Sequence, residues 1–168
     1  LPSILQFDIG TTSNYPMDTS PIKIILNTTA NICDDAGNLL FFSNGVCLFD
    51  KDGDTIENAY GFHPSNLSAF YNEAANSSQA ALILPKGSGT YYYFHYSMTD
   101  SSYNHNLPFD LLYYSIVDMS ANNGKGRLVS KNKILIEDTF LDAYGLTACR
   151  HANGRDWWLI KIQYLKNS

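Results

Sequence analysis

The stretch ANICDDAGNLLFF, from Ala30 to Phe42, decides the fold of this chain. It opens on a small residue, turns through Asp35-Ala36-Gly37-Asn38, and continues as an apolar, aromatic run. Asn, Asp and Gly tolerate the positive φ that a tight hairpin requires. The same strand–turn–strand pattern returns as ALILPKGSGTYYYF (81–94) and ACRHANGRDWWLI (148–160), so that the spacing between successive starts is 51 and then 67 residues. Units spaced by roughly 40 to 50 residues, lengthened by insertions, are typical of propeller blades.

We therefore predict an all-β fold, with helix expected only at 66–75. One propeller-like region would span 1–168, in four-stranded antiparallel blades at about 22–60 and 78–140 and an incomplete blade at 144–168, about two and a half in all. The alternative is a β-sandwich with accidental similarity between its hairpins. Short runs rich in aromatic and β-branched residues place the strands. For the first two blades they are 29–33, 39–43, 46–50, 54–57, 80–85, 91–97, 111–118 and 131–137.

Composition excludes several classes of protein. The chain has 168 residues, of which 45% are hydrophobic and 16% charged, so it can bury the core of one domain and is not disordered. A net charge of -5 disfavours sequence-independent nucleic-acid binding, which needs a basic surface. No apolar run approaches the roughly 18 residues of a membrane span.

Cys33, Cys47 and Cys149 lie in apolar, strand-like contexts. We expect buried free thiols that act as small hydrophobic residues. A Cys33–Cys47 disulfide is the alternative, because a secreted chain would permit it. None of the three has the spacing of a zinc site.

The segment DKDGDTIE, from Asp50 to Glu57, is the strongest candidate site. Alternating carboxylates around a glycine turn can surround a hard cation, so we predict a calcium site formed by Asp50, Asp52, Asp54 and Glu57. The alternative is a plain hairpin turn between strands 46–50 and 54–57, where Asp-Gly is favoured in any case. No other cofactor is expected.

Candidate modification sites also occur. Asn27, Asn66 and Asn76 begin formal Asn-x-Ser/Thr sequons and are predicted glycosylation sites.

The sequence holds no nucleophile elbow, phosphate loop or dinucleotide fingerprint, and we predict that the protein is not an enzyme. His151 lies between Arg150 and Asp156, but at a strand end entering a tight turn it is expected to bond the loop backbone. His63, His95 and His105 are scattered, without metal-ligand spacing, and His95 is expected on a strand facing water or a neighbouring blade.

Aromatic residues are abundant, with twelve Tyr, nine Phe and two Trp. Most should pack between blades. Tyr71, Tyr96, Tyr103 and Tyr144 fall near loops, where an exposed ring could stack on a sugar.

The hairpins also carry a family resemblance. DDAGNLLFFSNGV (34–46) resembles the D-x-x-G-N-L-L-F-Y-T-D-G stretch of large secreted gliding-motility-associated proteins, which the type IX secretion system exports. Further similar stretches follow in the same order, at 78–85 with 91–94, 112–119, 131–135 and 146–158, so that the likeness covers about 28–165. It implies a propeller-like region, an extracellular or cell-surface location, adhesive or structural roles and no established catalytic residues. Asp54-Thr55-Ile56 is similar to the O-glycan acceptor of bacteria with this secretion system, a likeness that implies Thr55 as a fourth candidate glycosylation site, for O-linked sugar.

The predicted function is that of a non-enzymatic extracellular or cell-surface β-protein. It would act in adhesion or as a self-assembling subunit of a ring or filament. Because an incomplete blade exposes strand edges and an apolar face, its partners would be other copies or the remaining blades of a longer parent. A carbohydrate-binding module that recognises surface glycans is the main alternative, and a glycoside-hydrolase fragment is a weaker one. No nucleic acid and no membrane span are expected.

Overall fold

A computed structural model describes residues 3–8, 11–16, 26–71 and 74–162. The prediction of an all-β fold is confirmed. The strands are β1 (Ser3–Asp8), β2 (Thr11–Pro16), β3 (Ala30–Cys33), β4 (Leu39–Ser43), β5 (Cys47–Asp50), β6 (Thr55–Tyr60), β7 (Ala81–Gly87), β8 (Thr90–Ser97), β9 (Phe109–Asp118), β10 (Arg127–Leu141), β11 (Thr147–Arg150) and β12 (Trp157–Ile160). The helices are α1 (Leu67–Phe70), α2 (Asp100–Asn104) and one 3₁₀ turn (Asn122–Gly124).

Eight strands form one mixed sheet in the order β3-β4-β5-β6-β10-β9-β8-β7. It consists of two antiparallel four-stranded units, which we call the first meander (β3–β6) and the second meander (β7–β10). The two are joined through β6 and β10, which run parallel and pair at Glu57 and Arg127. At the other ends of the order, β3 and β7 lie beside each other, so the sheet is nearly closed.

Two hairpins lie outside this sheet. β1 pairs with β2, and β11 pairs with β12. The strands predicted for the first two blades match the strands of the eight-stranded sheet closely. The propeller arrangement of these strands stays a prediction, because the sheet order alone does not test it. The parts of the predicted blades at 22–25 and 163–168 lie outside the described residues.

The turns follow from local side-chain chemistry. In the β3–β4 turn, Asp34 accepts hydrogen bonds from the backbone N–H groups of Ala36 and Asn38 at 2.9 and 2.8 Å. Gly37 then takes the left-handed conformation, with a φ of 84°. The deciding stretch of the sequence thus forms the hairpin that it predicts.

The main core lies between the meanders, which pack face to face. The other face of the second meander packs against the β11–β12 hairpin, where half-buried Trp157 donates from its indole N–H to the Pro85 carbonyl at 3.2 Å. The main core contains, from the first meander, Phe41, Leu48, Ile56 and Ala59 and, from the second, Ala81, Ile83, Tyr93, Val117 and Leu128, with Phe62 from the loop after β6.

The far face of the first meander is covered by its own connections. Phe42 and Phe49 stack there and meet Leu67, Tyr71 and Met98. The helix predicted at 66–75 is only one turn long. Further along, the backbone of Ala75 instead bonds to Asn44 and Thr28 of the first half of the chain. No helix in the described part of the chain is long and apolar enough to cross a membrane.

Candidate functional site

The predicted calcium loop is a hairpin turn built by Asp50. This carboxylate is 4% exposed and accepts the backbone N–H groups of Asp52 and Asp54 at 3.0 and 2.8 Å. The Gly53 N–H donates to the Asp50 carbonyl at 2.9 Å. One carboxylate oxygen is therefore used in shaping the β5–β6 turn.

The other three carboxylates of this segment each meet a cation of the protein. Asp52 pairs with Lys51 at 2.8 Å, Asp54 with Lys125 at 3.0 Å, and Glu57 with Arg127 at 2.8 Å. Among the described residues, no group of three or more His, Cys, Asp or Glu side chains is placed to hold a metal ion. The calcium site stays a prediction to which the geometry gives no support.

All four predicted glycosylation sites, Thr55, Asn27, Asn66 and Asn76, are exposed. Asn66 precedes helix α1, where its backbone N–H donates to Asp100 at 2.7 Å. Their modification stays a prediction.

All three cysteines are free thiols, and the Cys33–Cys47 disulfide does not form. Cys47 is buried, as expected. For Cys33 and Cys149 the expectation of burial is wrong, because both side chains lie on exposed strand positions.

Two of the tyrosines suspected of sugar stacking are in fact core residues. Tyr71 and Tyr96 are 8% and 2% exposed, so their rings cannot reach a ligand in solvent. Tyr71 directly follows α1 and packs on the far face of the first meander, whereas Tyr96 lies within β8 and packs in the core beside Leu112. Tyr103 is half-buried and Tyr144 is 50% exposed, so an open ring remains at Tyr144.

His151 bonds the backbone of its own loop, as its position in a tight turn predicts. Its Nδ1 accepts the backbone N–H of Asn153 at 3.1 Å in the β11–β12 turn. His105 likewise bonds its own local backbone, at the Ser101 carbonyl.

His63 and His95, by contrast, meet in the interior, which nothing in their sequence spacing indicates. Their ring centroids lie 5.7 Å apart, and their exposures are 5% and 1%. His63 follows β6, whereas His95 lies within β8 and stacks on Tyr93. The pair therefore ties the loop after the first meander to the second meander.

Burial is the main electrostatic influence on both rings. It lowers the pKa of His63 to about 4. Burial, reinforced by the neighbouring His63 and by Lys131, lowers the pKa of His95 to about 3. Both histidines are thus neutral at physiological pH.

The β11–β12 hairpin has one half-buried and one exposed apolar face. Its inner face consists of half-buried Ala148, Trp157 and Leu159. On the outer face, Trp158 is 60% and Ile160 52% exposed, and Cys149 lies in register with Trp158. Exposed Ile162 continues this outer face, which we call the outer hairpin face.

The strand edges of this hairpin add to its capacity for association. β11 and β12 form a sheet of their own, in which each pairs with the other. Within the described residues, each strand therefore has one edge without a partner strand. Open edges and an apolar face are the two features by which β-proteins add strands or sheets from another chain.

Comparisons with protein-family models, with curated proteins and with solved structures gave no match in any of the three. The resemblance to gliding-motility-associated proteins of the type IX secretion system stays a prediction from the sequence.

Proposed function

We propose that this chain is a non-enzymatic, extracellular or cell-surface β-protein that acts in adhesion or assembly, and that a second copy docks on its outer hairpin face. The observation that carries the proposal is the contrast across β12. Trp157 and Leu159 are partly covered by the second meander, whereas Trp158 and Ile160 are exposed to solvent. Contiguous exposed aromatic and aliphatic side chains mark association sites more often than isolated ones do.

We further propose that the two meanders and the hairpin are stacked like propeller blades. Both meanders have the same up-and-down strand order, and each lays one face against a neighbour. The hairpin is the third layer and starts with the same small-residue strand, at Ala148. The inner face of the hairpin packs against the second meander, as the first meander does on the opposite side. The outer face of the hairpin carries exposed apolar residues that could pack against another element in the same way.

A second copy of the chain, bound through a two-fold symmetric contact, is the simplest occupant of the outer hairpin face. In such a contact the same patch serves both copies, so an apolar patch needs no second complementary surface. A head-to-tail filament is less favoured, because the far face of the first meander is already covered by α1 and its neighbours. The extracellular location rests on the family resemblance.

Sedimentation of the purified chain over a wide range of concentrations tests this function. We expect a concentration-dependent dimer that Trp158→Ser or Ile160→Ser converts to monomer. Tyr60→Ser is the matched control, because Tyr60 is 62% exposed on β6, away from the hairpin, and should leave the dimer intact. A wild-type chain that stays monomeric throughout would refute self-association.

One observation favours carbohydrate binding as a second candidate. Trp158 presents an exposed indole on a strand, the kind of platform on which a sugar ring stacks. A glycan array then separates the candidates. Saturable binding that Trp158→Ala abolishes, in a chain that remains monomeric, would favour a carbohydrate-binding module over an assembly subunit.

A further inference from the structure

The two buried histidines have hydrogen-bond roles that the structure fixes. His63 Nε2 lies 3.2 Å from the Gly45 carbonyl, which can only accept, so this nitrogen carries the proton. Its Nδ1 therefore accepts from the Ser97 hydroxyl, also at 3.2 Å. Both nitrogens of His63 are satisfied.

His95 is satisfied on only one side. Its Nε2 lies 3.1 Å from the Phe62 carbonyl and must donate to it. In the neutral ring, Nδ1 is then a bare acceptor. This atom is buried and has no hydrogen-bond partner among the described residues, and the same holds for the hydroxyl of adjacent Tyr96. An unmet buried polar atom costs about 1–3 kcal/mol, so such atoms in native proteins generally have a partner.

A small cavity adjoins both of these residues. Its volume is about 10 Å³, and its lining includes His95, Tyr96, Tyr71 and Ser77. A single water molecule needs at least about 10–15 Å³ and two to four polar partners. The volume is thus at the lower limit for one water and far too small for an organic ligand.

The cavity lining also offers a donor. The hydroxyls of Tyr71 and Ser77 lie 3.0 Å apart, and one of them donates to the other. Their mutual bond uses one hydroxyl hydrogen and leaves the second available to a third group. The residues that carry these groups, His95, Tyr96, Tyr71 and Ser77, all line this cavity.

We propose that this cavity is a binding site for one water molecule, which donates a hydrogen bond to His95 Nδ1 and has its other bonds with the hydroxyl groups that line the cavity. A metal ion fits less well. Both nitrogens of His63 are already engaged, and no third His, Cys, Asp or Glu in the described residues completes a ligand group. The water would link the loop after β6 to β8 inside the core.

A near-atomic-resolution crystal structure of the unmodified chain tests the proposal directly. We expect one density peak at full occupancy within hydrogen-bond distance of His95 Nδ1 and of a lining hydroxyl. An empty cavity, or a rotated His95 ring with Nδ1 bonded to protein, would overturn it.

Nitrogen NMR of the imidazole rings provides a test that needs no crystal. A bound water shifts the His95 Nδ1 resonance upfield of a bare acceptor nitrogen and gives a long-lived cross-peak between water and protein. Ser77→Ala should weaken that cross-peak, whereas Ser101→Ala, at an exposed serine of α2, should not change it. A protonated Nδ1, or no water contact in the unmodified chain, contradicts the proposal.

Discussion

The first meander and the β11–β12 hairpin pack on opposite faces of the second meander, and the two contacts differ in depth. Against the first meander, Phe41 and Tyr93 are fully buried. Against the hairpin, Trp157 and Leu159 are only half-buried, and the next residue along the strand from each is exposed. The same strand–turn–strand pattern thus begins two different kinds of element. In the four-stranded meanders it forms a deep core, whereas in the hairpin, for which two strands are described, it forms a thin outer layer.

The largest expected effect of a single substitution lies in the deep contact. Phe41→Ala should lower the free energy of unfolding by about 3–5 kcal/mol, because it removes a wholly buried ring from the core between the meanders. Urea unfolding followed by circular dichroism measures the loss. A loss no larger than that of Leu159→Ala, on the inner face of the hairpin, would mean that the two contacts are equally deep.

Lowering the pH should destabilise the contact between the meanders, because His63 and His95 are buried beside it. Their pKa values fall from the usual 6.5 to about 4 and about 3 on folding. Because the unfolded chain binds protons that the folded chain cannot, stability is fully present above about pH 6.5 and is lost as the pH falls towards 4 and then 3. The slope is about 1.4 kcal/mol per pH unit for each histidine.

Unfolding free energies measured at several pH values between 4 and 7 check this slope. His63→Gln should reduce it, whereas His105→Gln, on the exposed surface, should not. Carboxylates such as Asp34, whose pKa lies below the usual 3.8 because Asn38 hydrogen-bonds it, act mainly at lower pH. A flat profile in this window would show that the histidines are not buried as neutral rings.

A smaller effect is expected at Ser43, which joins the meanders by a hydrogen bond. Its hydroxyl donates to buried Tyr93 at 2.9 Å and accepts the Gly45 N–H. Ser43→Ala leaves polar groups unpaired and should cost about 1–3 kcal/mol. In the double variant Ser43→Ala with Tyr93→Phe, part of that loss should return; strictly additive losses would rule out the bond as the cause.

The smallest effect belongs to the outer hairpin face. With the chain dilute enough to be monomeric, Ile160→Ser should change the unfolding free energy by no more than about 0.5 kcal/mol, because Ile160 is already exposed. Its neighbour Leu159, on the inner face, is the matched comparison, and Leu159→Ala should cost about 1–2 kcal/mol. Equal losses at the two positions would remove the distinction between the faces.

The sequence predicts the strands well wherever apolar character is continuous. β4 occupies the predicted 39–43. β10 is longer than predicted, running from Arg127 to Leu141, because its polar residues pair with β9 through several bulges that no apolar pattern marks. The strand and turn patterns do not predict helix α2. The sequence does contain a signal for it, because Thr99 caps this helix by accepting a hydrogen bond from the Ser102 N–H.

The candidate sites were less predictable, because their chemistry depends on distant segments. The acidic turn is recognisable in the sequence, but Lys125 and Arg127, which neutralise Asp54 and Glu57, lie 71 and 70 residues away. His63 and His95 are brought together only when the loop after β6 crosses to β8. Local patterns specify turns and strands, whereas such pairings need the packed fold.

The order of strands in the eight-stranded sheet also bears on how the chain folds. Six of its seven pairings join strands that follow one another in sequence, and the parallel pairing of β6 with β10 is the exception. Neighbouring strands close short loops and can pair early. We expect each meander to form on its own and the two to meet late, in a docking step that buries Phe41 and Tyr93. Until then both aromatic faces are open, and a chain held at that stage is at greatest risk of aggregation.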